Sequence, residues 1–429
     1  FLFPVQLVIV GVGVVVLFYS ILGGNWAILA ADFLQGLVLL SMAVLLALLS
    51  LWAIGGVDGF LESMRSLGLQ NDFSMITRDD PSGNYGILWL VGVGVIQVYA
   101  VLGIMGGQRY FSCKDGTHAR KAALFASIMM LVGMVVFFLP PMVARLLFDA
   151  EIQLLNVPNP TDAAYAFMSM QLLPNGFVPL MAVAMFSAQM STLDTALNAN
   201  SAIFVKNGYP ALMRLFGRVP NEDPRFQLRL GRIFTACLGC LLVAIALVIS
   251  RANQVTGVFE IFIQMVGLIM VPMLLPLFLG IFVRNTPMWS GWATFCAALG
   301  TSSSFFILRK MDLWVVSPHV SVIVTSLVGI VVFFGSIPFF QRASEEEKAT
   351  ISAFFKRTRT PVDFQAEIGE GNDRQQMRMI GTLALLLGIF IALFLLFPNE
   401  WNGRLQIAAV ASAVGGMGAF LLAASRGRV

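Results

Sequence analysis

The sequence predicts an all-helical protein that crosses a membrane about eleven times, and three observations carry that expectation. First, 58% of the 429 residues are apolar and only 12% are charged, where soluble domains carry about 25% charged residues; the mean hydropathy is +0.83. Second, the apolar residues gather into unbroken runs of about 20, the length a helix needs to cross hydrocarbon. The alternating segments of ~10 residues that build transmembrane barrels are not seen. Third, Lys and Arg collect on alternate connections between the runs. This composition excludes a fully soluble enzyme, a nucleic-acid binder and a disordered chain.

In chain order the expected spans are 5–22, 27–53, 88–107, 122–141, 178–204, 233–250, 257–283, 291–307, 320–340, 380–397 and 405–424. With no water in the bilayer core, backbone groups must bond within each segment, so each span is expected to be a helix. Gly (39) and Phe (36) are plentiful, and glycine suits close helix packing in lipid. Most of the 27 Lys and Arg fall on one side. That side holds Arg109, Lys114, Arg120 and Lys121, the set from Lys206 to Arg232, Arg284, the set from Arg342 to Arg378, and Arg426 and Arg428. Arg65, Arg78, Arg145, Arg251, Arg309, Lys310 and Arg404 lie on the other. The richer side is expected to be cytoplasmic, which places the C-terminus inside a bacterial plasma membrane. Residues 54–86 then form an external loop and 342–377 a cytoplasmic one, whose Glu345-Glu346-Glu347 cluster reads as a solvated linker. The whole of 1–429 is expected to be a single transmembrane domain. Cys113, Cys237, Cys240 and Cys296 have the character of packing residues, not of a disulfide framework. The chain opens Phe-Leu-Phe-Pro with no basic flank, so no signal peptide is expected, and it reads as though cut from something longer.

Polar residues at membrane depth cost several kcal/mol by most scales and tend to face a bundle interior or a pathway. In the fifth span Ser187, Ser191, Asp194, Asn198 and Ser201 recur at steps of three and four, which places them on one helix face, with Thr192 and Thr195 beside them. Hydroxyls and carbonyls around one carboxylate suit a small hard cation such as sodium. The competing reading is interhelical hydrogen bonding by Ser, Thr and Asn. In the third span Gly92, Gly94, Gln97, Tyr99, Gly103, Gly106 and Gly107 permit either a discontinuous transport helix or close packing. Glu260 and Gln264 sit one turn apart in the seventh span, ahead of Pro272 and Pro276, which predict a kink.

Three stretches together resemble the sodium:solute symporter family of proline, sugar, sialic-acid and monocarboxylate carriers. Tyr19-Ser20-Ile21-Leu22-Gly23-Gly24 running on to Asp32 and Gln35 is similar to the family's Tyr-Thr-x-x-Gly-Gly signature. Ala188-Gln189-Met190-Ser191-Thr192-Leu193-Asp194, followed by Asn207-Gly208-Tyr209, resembles its Ala-x-Met-Ser-Thr helix. Gly107-Gln108-Arg109-Tyr110-Phe111 resembles the segment closing its sixth core helix, and Thr360-Pro361-Val362-Asp363-Phe364 is similar to bacterial members. The resemblance implies a leucine-transporter-type bundle of two inverted repeats of five helices, with sites near the membrane midplane. On that mapping 1–53 holds core helices four and five, 87–284 holds six to ten, and 290–341 and 378–425 are accessory. The first three core helices are absent, so the chain is expected to be an N-terminally truncated carrier.

The resemblance also implies site residues. Ser191 and Thr192 are the paired hydroxyls that hold sodium, together with the Ala188 carbonyl. The helical spacing already sets Asp194, Ser187 and Asn198 in a candidate ion pathway, to which the resemblance adds Asp32, matching a position near a second sodium in some members. Those members often have Ser where this chain has Ala188, which favours one sodium. Tyr99 matches an inner gate beneath the solute, with Gln97 beside it, and Gln264 aligns with a solute-contacting Gln. Ile96 stands where sugar carriers place Asn, which speaks against galactose-type recognition. The expected function is sodium-coupled symport of a small organic solute (a sugar, an amino acid or an organic acid) by alternating access. The expected partners are the solute, Na+ as coupling ion and the lipid bilayer, with no organic cofactor, no nucleic acid and no enzymatic activity. The alternative is a transporter-like membrane sensor domain that does not transport.

Overall fold

A computed structural model describes residues 4–73, 86–102, 113, 115–157, 159–252, 258–311, 313, 316–360 and 373–426. At 22–27, 99–102, 251–252, 258–261, 359 and 373 the description extends to the backbone only. Among the described residues every regular element is helical. In order they are α1 (Val5–Ala53), α2 (Gly56–Ser66), α3 (Ile87–Leu102), α4 (Gly116–Leu147), α5 (Ala164–Leu172), α6 (Phe177–Ile203), α7 (Tyr209–Leu215), α8 (Pro224–Ala252), α9 (Val258–Met265), α10 (Val271–Phe282), α11 (Ser290–Lys310), α12 (Pro318–Gly335), α13 (Glu345–Arg359), α14 (Asp373–Ala392) and α15 (Trp401–Arg426). Nine described helical stretches are long and apolar enough to cross a membrane, and Val5–Ile21 and Ile87–Val98 are shorter apolar helices. Each overlaps one of the eleven expected spans. Outward-facing Phe125, Met130, Leu131, Val135 and Phe138 of α4 are largely uncovered, as suits side chains whose solvent is lipid. The chain is an all-α polytopic membrane protein.

Three details differ from the sequence reading. The first two spans are joined by helical backbone, with no turn between Ile21 and Ile28. Gly23-Gly24 supplies the only break signal there, and no proline follows it. Second, α4 continues through Pro140 and Pro141 to Leu147. Third, both long connections contain helix. Residues 54–86 include α2, amphipathic and with no buried residue, and 342–377 include α13. The Glu345-Glu346-Glu347 cluster is the first turn of α13, where acidic side chains complement the helix dipole. Ser344 accepts the Glu347 amide at 3.2 Å as its N-cap, and the Glu347 carboxylate accepts the amide of Met288. The Thr360–Phe364 stretch lies outside the described residues beyond Thr360.

The helices cluster into two compact units. The first comprises Phe1–Met64, Phe125–Val255 and Glu370–Val429. Here α1 packs along α6 and α8, and α14 lies against α15. Glycines set these separations. A Cβ on Gly239 of α8 would lie 2.1 Å from Leu17 Cδ2 of α1. On Gly418 of α15 it would fall 2.4 Å from the Leu385 amide nitrogen and 2.8 Å from the Gly381 carbonyl oxygen of α14, so those two helices meet backbone to backbone. Asn175 and Asn399 bond reciprocally, amide to side chain, at 2.8 and 3.2 Å, tying the entries of α6 and α15 together.

The second unit comprises Arg65–Leu124 and Thr256–Gly369. Its core is Ile96 of α3, Ile263, Val266, Val271 and Leu275 of the α9–α10 segment, and Val322 of α12. Gly92 of α3 closes on the start of α12, where a Cβ would lie 2.7 Å from that of His319, which is the packing alternative for that glycine. Between α9 and α10 the backbone makes one π-turn, Val266–Met270, directly before Pro272. A proline has no N–H to donate to the carbonyl four residues back, here that of Leu268. Ser302 of α11 donates to this oxygen instead, at 2.9 Å, and its hydroxyl also lies 3.1 Å from Leu299 O. The expected kink is thus a π-turn bonded from the neighbouring helix. At the start of α4, Asp115 accepts the His118 amide at 2.8 Å and pairs with its Nδ1 at 2.9 Å.

Three stability predictions follow from these contacts. Gly418→Ala should force α14 and α15 apart at a cost of about 1–3 kcal/mol, whereas Gly416→Ala, with open space at its Cβ, should be neutral; thermal unfolding in detergent distinguishes them. Ser302→Ala should cost about 1 kcal/mol, and Ser304→Ala, whose exposed hydroxyl only back-bonds to Gly300, should leave the transition in place. The His118 amide, then its imidazole, holds the Asp115 carboxyl below the usual carboxylate range. A depressed folded value stabilises the α4 start above the unfolded value and is lost as pH falls through the folded one. The difference in melting temperature between the native chain and Asp115→Ala should therefore be present near neutrality and vanish in strong acid.

Candidate functional site

The polar stripe of α6 separates into parts with different work. Ser187, Asp194 and Ser201, seven residues apart, are buried; Ser191 and Asn198 are half-buried, and Thr192 is exposed. Ser201 donates to the Gly231 carbonyl of α8 at 2.9 Å, and a Cβ on Gly231 would lie 3.2 Å from that hydroxyl. At this end of the stripe the interhelical-bond reading holds.

Asp194 is the centre of the stripe. Its side chain is fully buried, and Tyr19 of α1 donates its phenol to Oδ2 at 2.6 Å, with the Met190 carbonyl 3.4 Å from the same phenol. Thr195 donates to Oδ1 at 3.3 Å. A buried carboxylate is tolerated only when its oxygens are bonded, and a bond to a charged group contributes about 1.5–3 kcal/mol. Asp32, half-buried, lies further along the same helix as Tyr19. The structure therefore brings Asp194 and Tyr19 together where α1 meets α6. Tyr19 was not among the expected site residues, although it heads the Tyr-Ser-x-x-Gly-Gly stretch. Nothing in one sequence pairs residue 19 with residue 194; only the packing of α1 on α6 does.

One turn toward the start of α6, Thr192 donates its hydroxyl to the Ala188 carbonyl at 3.2 Å, with half-buried Ser191 adjacent. This contact is the back-bond that a helical Thr commonly makes.

The candidates for the solute belong to the second unit. Gln97 is exposed on α3, and Gln264 is half-buried in the wall of a cavity of about 380 Å³. The Tyr99 and Glu260 side chains lie outside the described residues, as do Gly103, Gly106 and the stretch from Gly107 to Phe111. Ile96 is 2% exposed and packs in the core of this unit. Beyond α6, Asn207-Gly208 falls in a second π-turn, Phe204–Gly208, ahead of Pro210. Tyr209 is buried there, and its hydroxyl accepts the Asn221 amide at 3.1 Å, fastening the following loop.

Known proteins resemble this chain along most of the helices just described. Sodium/myo-inositol cotransporter 2 of Sus scrofa is 29% identical over 307 residues, covering 65% of this chain and 44% of that protein. The human cotransporter of the same name is 28% identical over the same length. Sodium/mannose cotransporter SLC5A10 of Bos taurus is 25% identical over 317 residues, 68% of this chain and 52% of that protein. The chain thus spans about half the length of these relatives. The model of the sodium:solute symporter family matches residues 3–293, a stretch that includes Tyr19, Asp32, the whole polar face of α6 and Gln264. The chain belongs to the sodium:solute symporter family.

Proposed function

We propose that this chain carries the sodium-coupled core of a symporter for a small organic solute, with Na+ and solute as cargo. Membership of a family named for that activity supports the reading, and the observation that carries it is the oxygen-rich face of α6 beside a buried carboxylate. Ser191 and Thr192 hydroxyls and the Ala188 carbonyl would hold the cation. The Tyr19–Asp194 bond fixes the helix turn that presents them, and Asp32, Ser187 and Asn198 line the route. A hard cation takes oxygen ligands, and neutral ligands with one carboxylate nearby hold a monovalent ion without trapping it.

On the second unit, Gln97, Tyr99 and Gln264 are the proposed solute contacts. The relatives are named for myo-inositol and mannose, which favours a polyhydroxylated solute among the sugars, amino acids and organic acids. Those names also favour transport over a sensor domain. The proposed frame is a five-plus-five inverted repeat with 1–53 and 87–284 in the core and 290–341 and 378–425 as accessory helices, in a bacterial plasma membrane with a cytoplasmic C-terminus. Coupling requires that bound sodium raise solute affinity by the same factor by which solute raises sodium affinity. A membrane potential of about 100 mV contributes roughly 2.3 kcal/mol per charge moved.

The test is uptake into proteoliposomes by the full-length protein, with myo-inositol, mannose, proline, sialic acid and a monocarboxylate as solutes. Ser191→Ala and Thr192→Ala should each raise the half-saturating sodium concentration by about tenfold, the equivalent of ~1.4 kcal/mol. Tyr19→Phe should raise it while leaving the solute preference unchanged. Uptake that ignores sodium, or sodium dependence untouched by both hydroxyl substitutions, would overturn the assignment.

A further inference from the structure

Only Ile54 and Gly55 separate the end of α1 from the start of α2. The apolar crossing that closes α1, Ile28–Ala53, has 26 residues and so rises about 39 Å. That exceeds the ~30 Å of a hydrocarbon core, so its end stands at headgroup level. Trp52, in its last turn, is 78% exposed, and an indole suits that level because one end of it is apolar and the other polar. Gly55 and Gly56 then have φ of 87° and 78°, the left-handed backbone that glycine adopts at little cost, and they break the ladder between the two helices. Within α2, Val57, Phe60, Leu61 and Met64 recur at steps of three and one, which gathers them on one face. Asp58, Glu62 and Ser66 fall on the other. No residue of the helix is buried, and Val57 and Leu61 are 62% and 38% exposed. With 11 residues, α2 is below the ~12–15 at which a helix is even marginal by itself in water.

We propose that α2 lies in the plane of the membrane interface, its apolar face among the lipid headgroups and upper acyl chains and Asp58 and Glu62 in water. Two observations select lipid as the partner. The helix begins at the end of a crossing, so the bilayer surface is beside it from its first residue. Its pattern, an apolar stripe opposite a polar one with low hydrophobicity over the whole, is that of helices that rest on a bilayer without entering it. The hold is apolar and not ionic. Asp58 and Glu62 outnumber Arg65, so no basic face seeks anionic headgroups. An in-plane α2 would fix the end of α1 at the interface together with Trp52. This inference stands apart from the transport reading, because no residue of α2 belongs to the proposed sodium or solute sites.

The experiment places the photoreactive amino acid benzoylphenylalanine at Val57, Asp58, Leu61 or Glu62 of the full-length protein in phosphatidylcholine vesicles, and identifies the covalent adducts by mass spectrometry. Lipid adducts should form from Val57 and Leu61 and be about tenfold rarer from Asp58 and Glu62. In the same vesicles, hydrogen exchange of the α2 amides should quicken about tenfold in Leu61→Asp, which removes apolar burial from the interface, and stay as it is in Glu62→Gln. Should Leu61→Asp fail to fold, Leu61→Ser gives the same reading, and the photoadducts decide the matter without either. Adducts to protein in place of lipid from Val57 and Leu61, equal lipid labelling from all four positions, or α2 exchange that Leu61→Asp leaves unchanged would each overturn the proposal.

Discussion

Inside hydrocarbon, a backbone N–H or C=O without a partner costs several kcal/mol, and that requirement governs this molecule from its helix count to its irregularities. It makes every described regular element a helix. It also decides how departures from helix are repaired. Where Pro272 withholds an N–H, a hydroxyl from α11 bonds the Leu268 carbonyl, and the π-turn there is held by a neighbour. The same rule applies to side chains, for which the buried Asp194 carboxylate is the extreme case. It is acceptable at its depth because Tyr19 and Thr195 bond both of its oxygens.

Much of this was legible beforehand, and the reason is physical. Spans announce themselves by composition, since twenty consecutive apolar residues have few other uses, and basic residues mark their ends. The polar face of α6 was legible from its three-and-four spacing alone. Its division into a tether at Asp194 and interhelical glue at Ser201 was not, because that division depends on which helix lies opposite. Tyr19 shows the limit well: its partner is 175 residues away in sequence. Periodicity also missed α2 and α13, which are short and amphipathic and sit in connections where hydropathy falls. Ile96, apolar where sugar carriers place Asn, takes part in the core of the second unit.

The close approach of α14 and α15 has a consequence for how such a protein moves. Helices whose backbones touch through Gly381, Gly388, Gly415 and Gly418 have no side-chain layer to slide upon. A rotation of a few degrees would drive carbonyl into carbonyl. This pair can travel only as one stiff strut. Any rearrangement of the first unit must be absorbed outside this pair. Two places where the described backbone departs from the α-helical ladder are the π-turns Phe204–Gly208 and Val266–Met270, each carrying an inserted residue.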